Sequence, residues 1–406
     1  MRPASADAGP LTALAGRSAV TYALGLPMKI VIAPDSYKES LSALEVATAI
    51  EAGFREVFPA AEYVKIPVAD GGEGTVEAMV AATQGKLVRL TVTGPLGKPV
   101  DAFYGLAGDE RTAFIEMAAA SGLEQVPAAQ RDPRVTTSWG TGELIKDALD
   151  RGVDHIIIGL GGSATNDGGS GMVQALGARL LDAQQNEIGY GGSALSQLAH
   201  IDISALDPRI KQCRIEVACD VTNPLTGAKG ASAIFGPQKG ATPELVQQLD
   251  GALAHYAGII QRDLDRDVLH LAGGGAAGGM GAALHAFCQA ELRRGIEIVT
   301  EALGLAEQVK DADLVITGEG RIDSQSINGK VPIGVAQVAR RFNKPVIGIA
   351  GSLTADVGVV HAHGLDAVFS VLYSICTLEE ALESAAQNVR LTARNVAATL
   401  RAGQSL

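Results

Sequence analysis

Apolar residues recur along this chain in two rhythms. Short unbroken runs read as strands buried on both faces, which is what a parallel sheet demands: Lys29-Ile30-Val31-Ile32-Ala33, Ile156-Ile157-Ile158-Gly159-Leu160, Leu314-Val315-Ile316-Thr317 and Val346-Ile347-Gly348-Ile349. Two more are expected over residues 63–69 and 367–372. Between them come helical signals. Ser42-Ala43-Leu44-Glu45 is a capping box, helices are expected near Thr75, over residues 141–150, after Gly169 and after Gly279, and Pro332 reads as a helix-start proline. Residues 88–92 and 100–105, parted by Gly94-Pro95-Leu96-Gly97-Lys98-Pro99, alternate like a β-hairpin.

This order predicts an α/β protein in which a discontinuous Rossmann- or flavodoxin-like parallel-sheet domain carries a second α/β domain inserted within it. The expected boundaries are 28–84 and 296–406 for the first and 85–295 for the second. Residues 1–27, rich in Ala, Gly and Pro and without an apolar core of signal-peptide type, read as a loose extension ahead of a fold that starts at Met28.

Composition narrows the function more than the fold. A chain of 406 residues, 47% hydrophobic and 19% charged, has the balance of an ordinary globular protein. Its net charge of −12 argues against a nucleic-acid or acidic-membrane partner, though not against a local phosphate pocket. No apolar stretch approaches the roughly 18 residues of a spanning helix. Cys213, Cys219, Cys288 and Cys376 lack CxxC spacing, so reduced thiols in a cytoplasmic protein are the plain expectation. His155, His270, His285, His361 and His363 show no metal-ligand spacing either. Homo-oligomerisation stays open.

The chemistry gathers where strands end. Gly161-Gly162-Ser163-Ala164-Thr165-Asn166-Asp167-Gly168-Gly169 joins glycines, whose amides can approach an anion, to oxygen donors that suit a hard cation. Asp35-Ser36-Tyr37-Lys38 puts a lysine at a strand-to-helix turn. Asp70-Gly71-Gly72-Glu73-Gly74 crowds two acids and three glycines into five residues, more backbone freedom than a merely structural turn needs. Gly318-Glu319-Gly320-Arg321-Ile322-Asp323 repeats the theme, with Arg321 able to fork onto a carboxylate or phosphate. In the inserted half, Cys219-Asp220-Val221-Thr222-Asn223-Pro224 offers Asp220 as ligand or base. Lys239 could touch a phosphate, and the glycine run holding Gly274 and Gly275 reads as either a cradle or a hinge. The plainer reading of any one such loop is a solvated turn, and of Trp139 a packing residue.

Two mechanisms fit residues of this kind. No Walker pattern occurs, which excludes a P-loop kinase, and no nucleophile elbow supports an esterase. Gly159, Gly161 and Ala164 do fall at dinucleotide-fingerprint spacing, with Asp182 about 20 residues on, so an NAD(P)-dependent hydroxy-acid dehydrogenase is the alternative to a metal–nucleotide phosphotransferase.

Taken together, and in this order, the segments from Met28 to Lys38, from Asp70 to Thr75, from Gly161 to Gly169, from Cys219 to Pro224 and from Gly318 to Asp323 resemble the bacterial glycerate kinase family, most closely its members in galactarate, glucarate and glyoxylate breakdown. The resemblance runs from Met28 nearly to the C-terminus; the extra N-terminal residues and Trp139 depart from it. It implies ATP-dependent phosphorylation of D-glycerate at the 2-hydroxyl, in a cleft between two domains, with a 3-phosphoglycerate-forming enzyme as the nearer alternative. Expected roles follow. Arg321, Lys38, Ser36 and Asp323 would meet glycerate, and Asp220 or Asp70 would orient its hydroxyl. Gly161, Gly162, Ser163, Lys239, Gly274 and Gly275 would hold the nucleotide, and Asp167, with Asn166 or Glu319, would hold Mg²⁺.

Overall fold

The computed structural model describes residues 27–404; the extension expected over residues 1–27 lies, but for Pro27, outside them. The chain divides into two compact units, Met1–Asp70 with Val299–Leu406 and Gly71–Ile298. The division falls before the helix Thr75–Thr83, expected to close the first segment. That helix packs instead on the strands Pro99–Leu106 and Thr112–Glu116, where Gly105 leaves room for the Val80 and Val76 side chains.

In the discontinuous unit, five parallel strands run in the order Ala367–Ser370, Val346–Ala350, Leu314–Thr317, Lys29–Ile32, Glu62–Lys65. Numbered along the chain this is 2-1-3-4-5, the flavodoxin-like order, which reverses between Lys29–Ile32 and Leu314–Thr317. The apolar runs behave as their composition requires, since Val31, Ile32, Val315, Ile316 and Ile349 are all fully buried. The helix Ala43–Arg55 starts at the predicted capping box, with Ser42 and Glu45 exchanging hydrogen bonds, and packs against the helix Ala385–Gly403. Gly53 marks the crossing, because a Cβ there would lie 2.2 Å from the Arg390 carbonyl.

The contiguous unit has a six-stranded mixed sheet. Its parallel strands are Glu291–Arg293, Arg214–Ala218, His155–Gly159 and Thr112–Glu116, and the hairpin Pro99–Leu106 with Lys86–Thr93 is added antiparallel. Each unit buries its own apolar cluster. Among the described residues, no helix is long and apolar enough to cross a membrane.

Candidate functional site

In the discontinuous unit the strands on either side of the order reversal end in acids. The loop after Lys29–Ile32 is tied to the end of Leu314–Thr317, with the Asp35 amide donating to the Gly318 carbonyl at 2.8 Å and the buried Tyr37 hydroxyl to the Ile349 carbonyl at 2.7 Å. Gly318 has to be glycine, because a Cβ would stand 1.9 Å from that same Ile349 oxygen. Glu319 is 7% exposed; one oxygen accepts from Ser326 Oγ at 2.5 Å and the other lies 3.4 Å from Lys330 Nζ. Asp35 receives the amide of Ser36 at 2.6 Å. Burial first, then the Asp70 charge, with Glu319 adding, pushes the Asp35 carboxyl up to about 7, while the Ser36 hydrogen bonds oppose them. A carboxyl near neutrality at a strand-order reversal is where general-base chemistry is expected.

The basic groups predicted beside it are present and open to solvent. Lys38 is exposed on the first loop, with its backbone amide facing Gly320. Arg321 is 64% exposed and pairs with Asp323, whose carboxylate also accepts the Gln325 amide. Ser36 lies half-buried against Asp35.

In the contiguous unit the turn at residues 161–163 follows His155–Gly159. Gly161 and Gly162 are exposed, and Gly162 is left-handed at φ 74°. Behind them everything is buried, and several assignments change. Asp167 is not positioned as a metal ligand. Its oxygens accept from Ser138 N (2.9 Å), Ser138 Oγ (2.7 Å), Gly169 N (3.1 Å) and Gly171 N (3.4 Å), so it organises the loop from inside. Burial raises its pKa against those same donors. Asn166 is enclosed too; its Nδ2 donates to Ser232 Oγ at 2.9 Å and its Oδ1 lies buried without a partner. One enclosed amide oxygen does not suit Mg²⁺, which keeps several waters. Among the described residues, no group of three or more His, Cys, Asp or Glu side chains is arranged to hold a metal.

Lys239 is likewise interior, 1% exposed, with Nζ 2.7 Å from Ser163 Oγ and 2.6 Å from the Thr165 carbonyl. Gly274 and Gly275 do not cradle an anion, because their amides already donate to the Leu271 and Asn223 carbonyls. The glycine run serves close packing. A Cβ on Gly278 would stand 2.0 Å from the Thr165 carbonyl, and Gly279 passes 2.8 Å from the Gly168 Cα by the same measure.

At the carboxyl ends of the same sheet, Gly71 (φ 91°) fits against Ala218 and Gly295, and Gly159 leaves space for the Gly71 carbonyl. Asp220 is exposed and accepts the Gly295 amide at 3.1 Å. Glu116, absent from the sequence prediction, ends its strand by accepting the Val76 amide at 2.9 Å and so caps the helix that follows residues 71–74. Burial, with Glu77 and Glu73 nearby, lifts it to about 7 against that bond. The dinucleotide fingerprint fails on geometry. The next helix opens only at Ser170, and Asp182 binds the Gln184 and Asn186 amides in an exposed turn.

Comparison with known proteins gives a consistent result. The profile described as "Glycerate kinase family" matches residues 30–401. The chain is 69% identical to the glycerate 2-kinase of Escherichia coli (strain K12), over 93% of this chain and 99% of that protein. It is 61% identical to the glycerate kinase of Haemophilus influenzae, over 92% and 99% respectively. The crystal structure described as "putative glycerate kinase 2 from Salmonella typhimurium LT2" superposes with a TM-score of 0.88 at 75% identity, covering 94% of this chain and all of that one.

Proposed function

The chain belongs to the glycerate kinase family, and from that premise we propose that it transfers the terminal phosphoryl group of ATP to the 2-hydroxyl of D-glycerate, giving 2-phospho-D-glycerate. The observation that carries the residue assignment is the place of Asp35 at the reversal of strand order, its amide tied to the Gly318 carbonyl, where burial pushes its carboxyl up to about 7. Phosphoryl transfer passes through a loose transition state, so the protein must position two reactants and balance charge rather than form a covalent bond of its own. Asp35 accepts the proton of the 2-hydroxyl, a role in which a pKa near the working pH gives the best compromise between ionisation and basicity. Lys38 and Arg321, exposed on the two loops beside it, hold the glycerate carboxylate. Asp220 and Asp70 become secondary candidates for the base. The turn of residues 161–163, open to solvent at Gly161 and Gly162, meets the phosphates through backbone amides and the Ser163 hydroxyl.

Magnesium fits the discontinuous unit better than the glycine loop, because Asp70 and Glu319 both press their charge on Asp35 and a cation relieves that crowding. Asp70 and Glu319 are the residues that would hold it. The ion, bound with the nucleotide, supplies neutralisation of phosphate charge.

Incubation with D-glycerate, ATP and Mg²⁺, followed by phosphorus NMR of the product, tests the reaction. Expected is the 2-phosphate. The 3-phosphate would overturn the regiochemistry, and absence of ADP with a nicotinamide-dependent absorbance change would overturn the kinase reading.

A further inference from the structure

Lys239 is a buried cation the mechanism does not use, and its surroundings say what it does. An ammonium can only donate, so in the 2.7 Å contact with Ser163 Oγ the serine must be the acceptor. A second ammonium proton goes to the Thr165 carbonyl at 2.6 Å, which fixes the side chain between two points of one loop. A hydroxyl has a single proton, and among the described residues no protein acceptor takes that of Ser163. Lys239 occupies one side of the oxygen, so the proton is left to turn away from the ammonium, on a residue that directly follows the exposed Gly161 and Gly162 in the chain.

Resting on the reading that residues 161–163 meet the nucleotide, we propose that Ser163 donates its hydroxyl proton to a phosphate oxygen of ATP and that Lys239 is the positioning residue that aims it. Lys239 never touches the ligand; its charge acts through the serine. A neutral amine could accept the Ser163 proton instead and turn the hydroxyl inward, so the device needs the charged form. Burial pulls Lys239 down to about 7, and the neighbouring Asp167 carboxylate opposes that pull. An arriving polyphosphate adds more negative charge and favours the ammonium further.

The test is steady-state kinetics on the full chain, varying ATP and glycerate separately, for Ser163→Ala, Lys239→Met and the double variant. Each single change should raise KM for ATP about tenfold, the worth of one hydrogen bond to a charged group, with KM for glycerate unchanged. The double variant should be no worse than either single one, because both remove the same bond. Ser163→Thr, which keeps the hydroxyl, should restore much of the ATP affinity. If Lys239→Met does not fold, Lys239→Gln takes its place in the cycle, with the same non-additivity expected. A Ser163→Ala enzyme with unchanged KM for ATP would overturn the placement of the nucleotide at this turn. Multiplying effects in the double variant would overturn the aiming role while leaving that placement intact. Equal rises in both KM values would reduce Lys239 to a structural brace.

Discussion

Asp167→Asn separates the two roles open to this acid, magnesium ligand or internal brace. The carboxylate takes four donors, three of them on Oδ2 (both groups of Ser138 and the Gly171 amide) and one, the Gly169 amide, on Oδ1. Asparagine keeps an oxygen for the larger set but must turn its NH₂ toward the Gly169 amide. Two buried donors, the Gly169 N–H that loses its acceptor and the new NH₂ that finds none, are then unsatisfied, each costing about 1–3 kcal/mol. Burial already disfavours the wild-type charge, so the neutral side chain recovers part of this and the lower half of the range applies. A net loss of about 3 kcal/mol corresponds to a fall of about 6–12 °C in the melting midpoint of a unit the size of residues 71–298. Differential scanning calorimetry measures this directly, and the magnesium dependence of the rate is taken at a temperature below the lowered midpoint. The brace predicts a lowered midpoint with unchanged half-saturation by Mg²⁺. An unchanged midpoint with a strongly increased magnesium requirement would refute the reasoning and return Asp167 to the metal.

Asp35→Asn should lower kcat by about 100-fold or more, and should abolish the rise of wild-type activity with pH through about 7, read from a kcat/KM profile. Glu116 has its folded pKa raised from 4.5 to about 7, so its contribution to stability is present at low pH and is lost as pH rises through that interval; Glu116→Gln, which keeps an acceptor for Val76, should therefore gain stability relative to wild type between pH 5 and pH 8 in urea melts. Gly318→Ala drives a Cβ into the Ile349 carbonyl and should cost about 3 kcal/mol in the discontinuous unit, with kcat falling as the Glu319 loop is displaced; an active enzyme with an unshifted melt would contradict the packing described.

The buried strands were legible because their sequences are apolar without alternation, and in Lys29–Ile32, Leu314–Thr317 and Val346–Ala350 only a parallel sheet covered on both faces uses such runs. Glu319 was legible for the same reason, since it stands just past the end of such a run, whereas Asp35 stands at the end of another and drew notice only as part of the loop that carries Lys38. What a glycine is for could not be read. Residues 161–163 and 273–281 look alike in sequence, yet the first is exposed at Gly161 and Gly162 while the other has amides bonded and Cα atoms pressed against neighbouring backbone. An acid beside a glycine is equally ambiguous. Asp167 became internal because Ser138, far away in the chain, supplies two of its donors, and no local pattern announces that pairing. Glu116 was missed because no glycine cluster follows it to mark a functional turn, and its significance appears only once the helix Thr75–Thr83, distant in the chain, is seen to start against it.

The strand order 2-1-3-4-5 also sets a timetable for synthesis. Lys29–Ile32 emerges from the ribosome early, but its neighbour on one side, Leu314–Thr317, is made only after residues 71–298 have been translated. The contiguous unit can complete its own sheet in that interval, whereas the nascent N-terminal strands wait with an open apolar edge of the kind that invites misassociation. Refolding of the whole chain should accordingly show an early phase from residues 71–298 and a slower one in which the long-range pairing of Ile30 with Leu314 closes the first sheet.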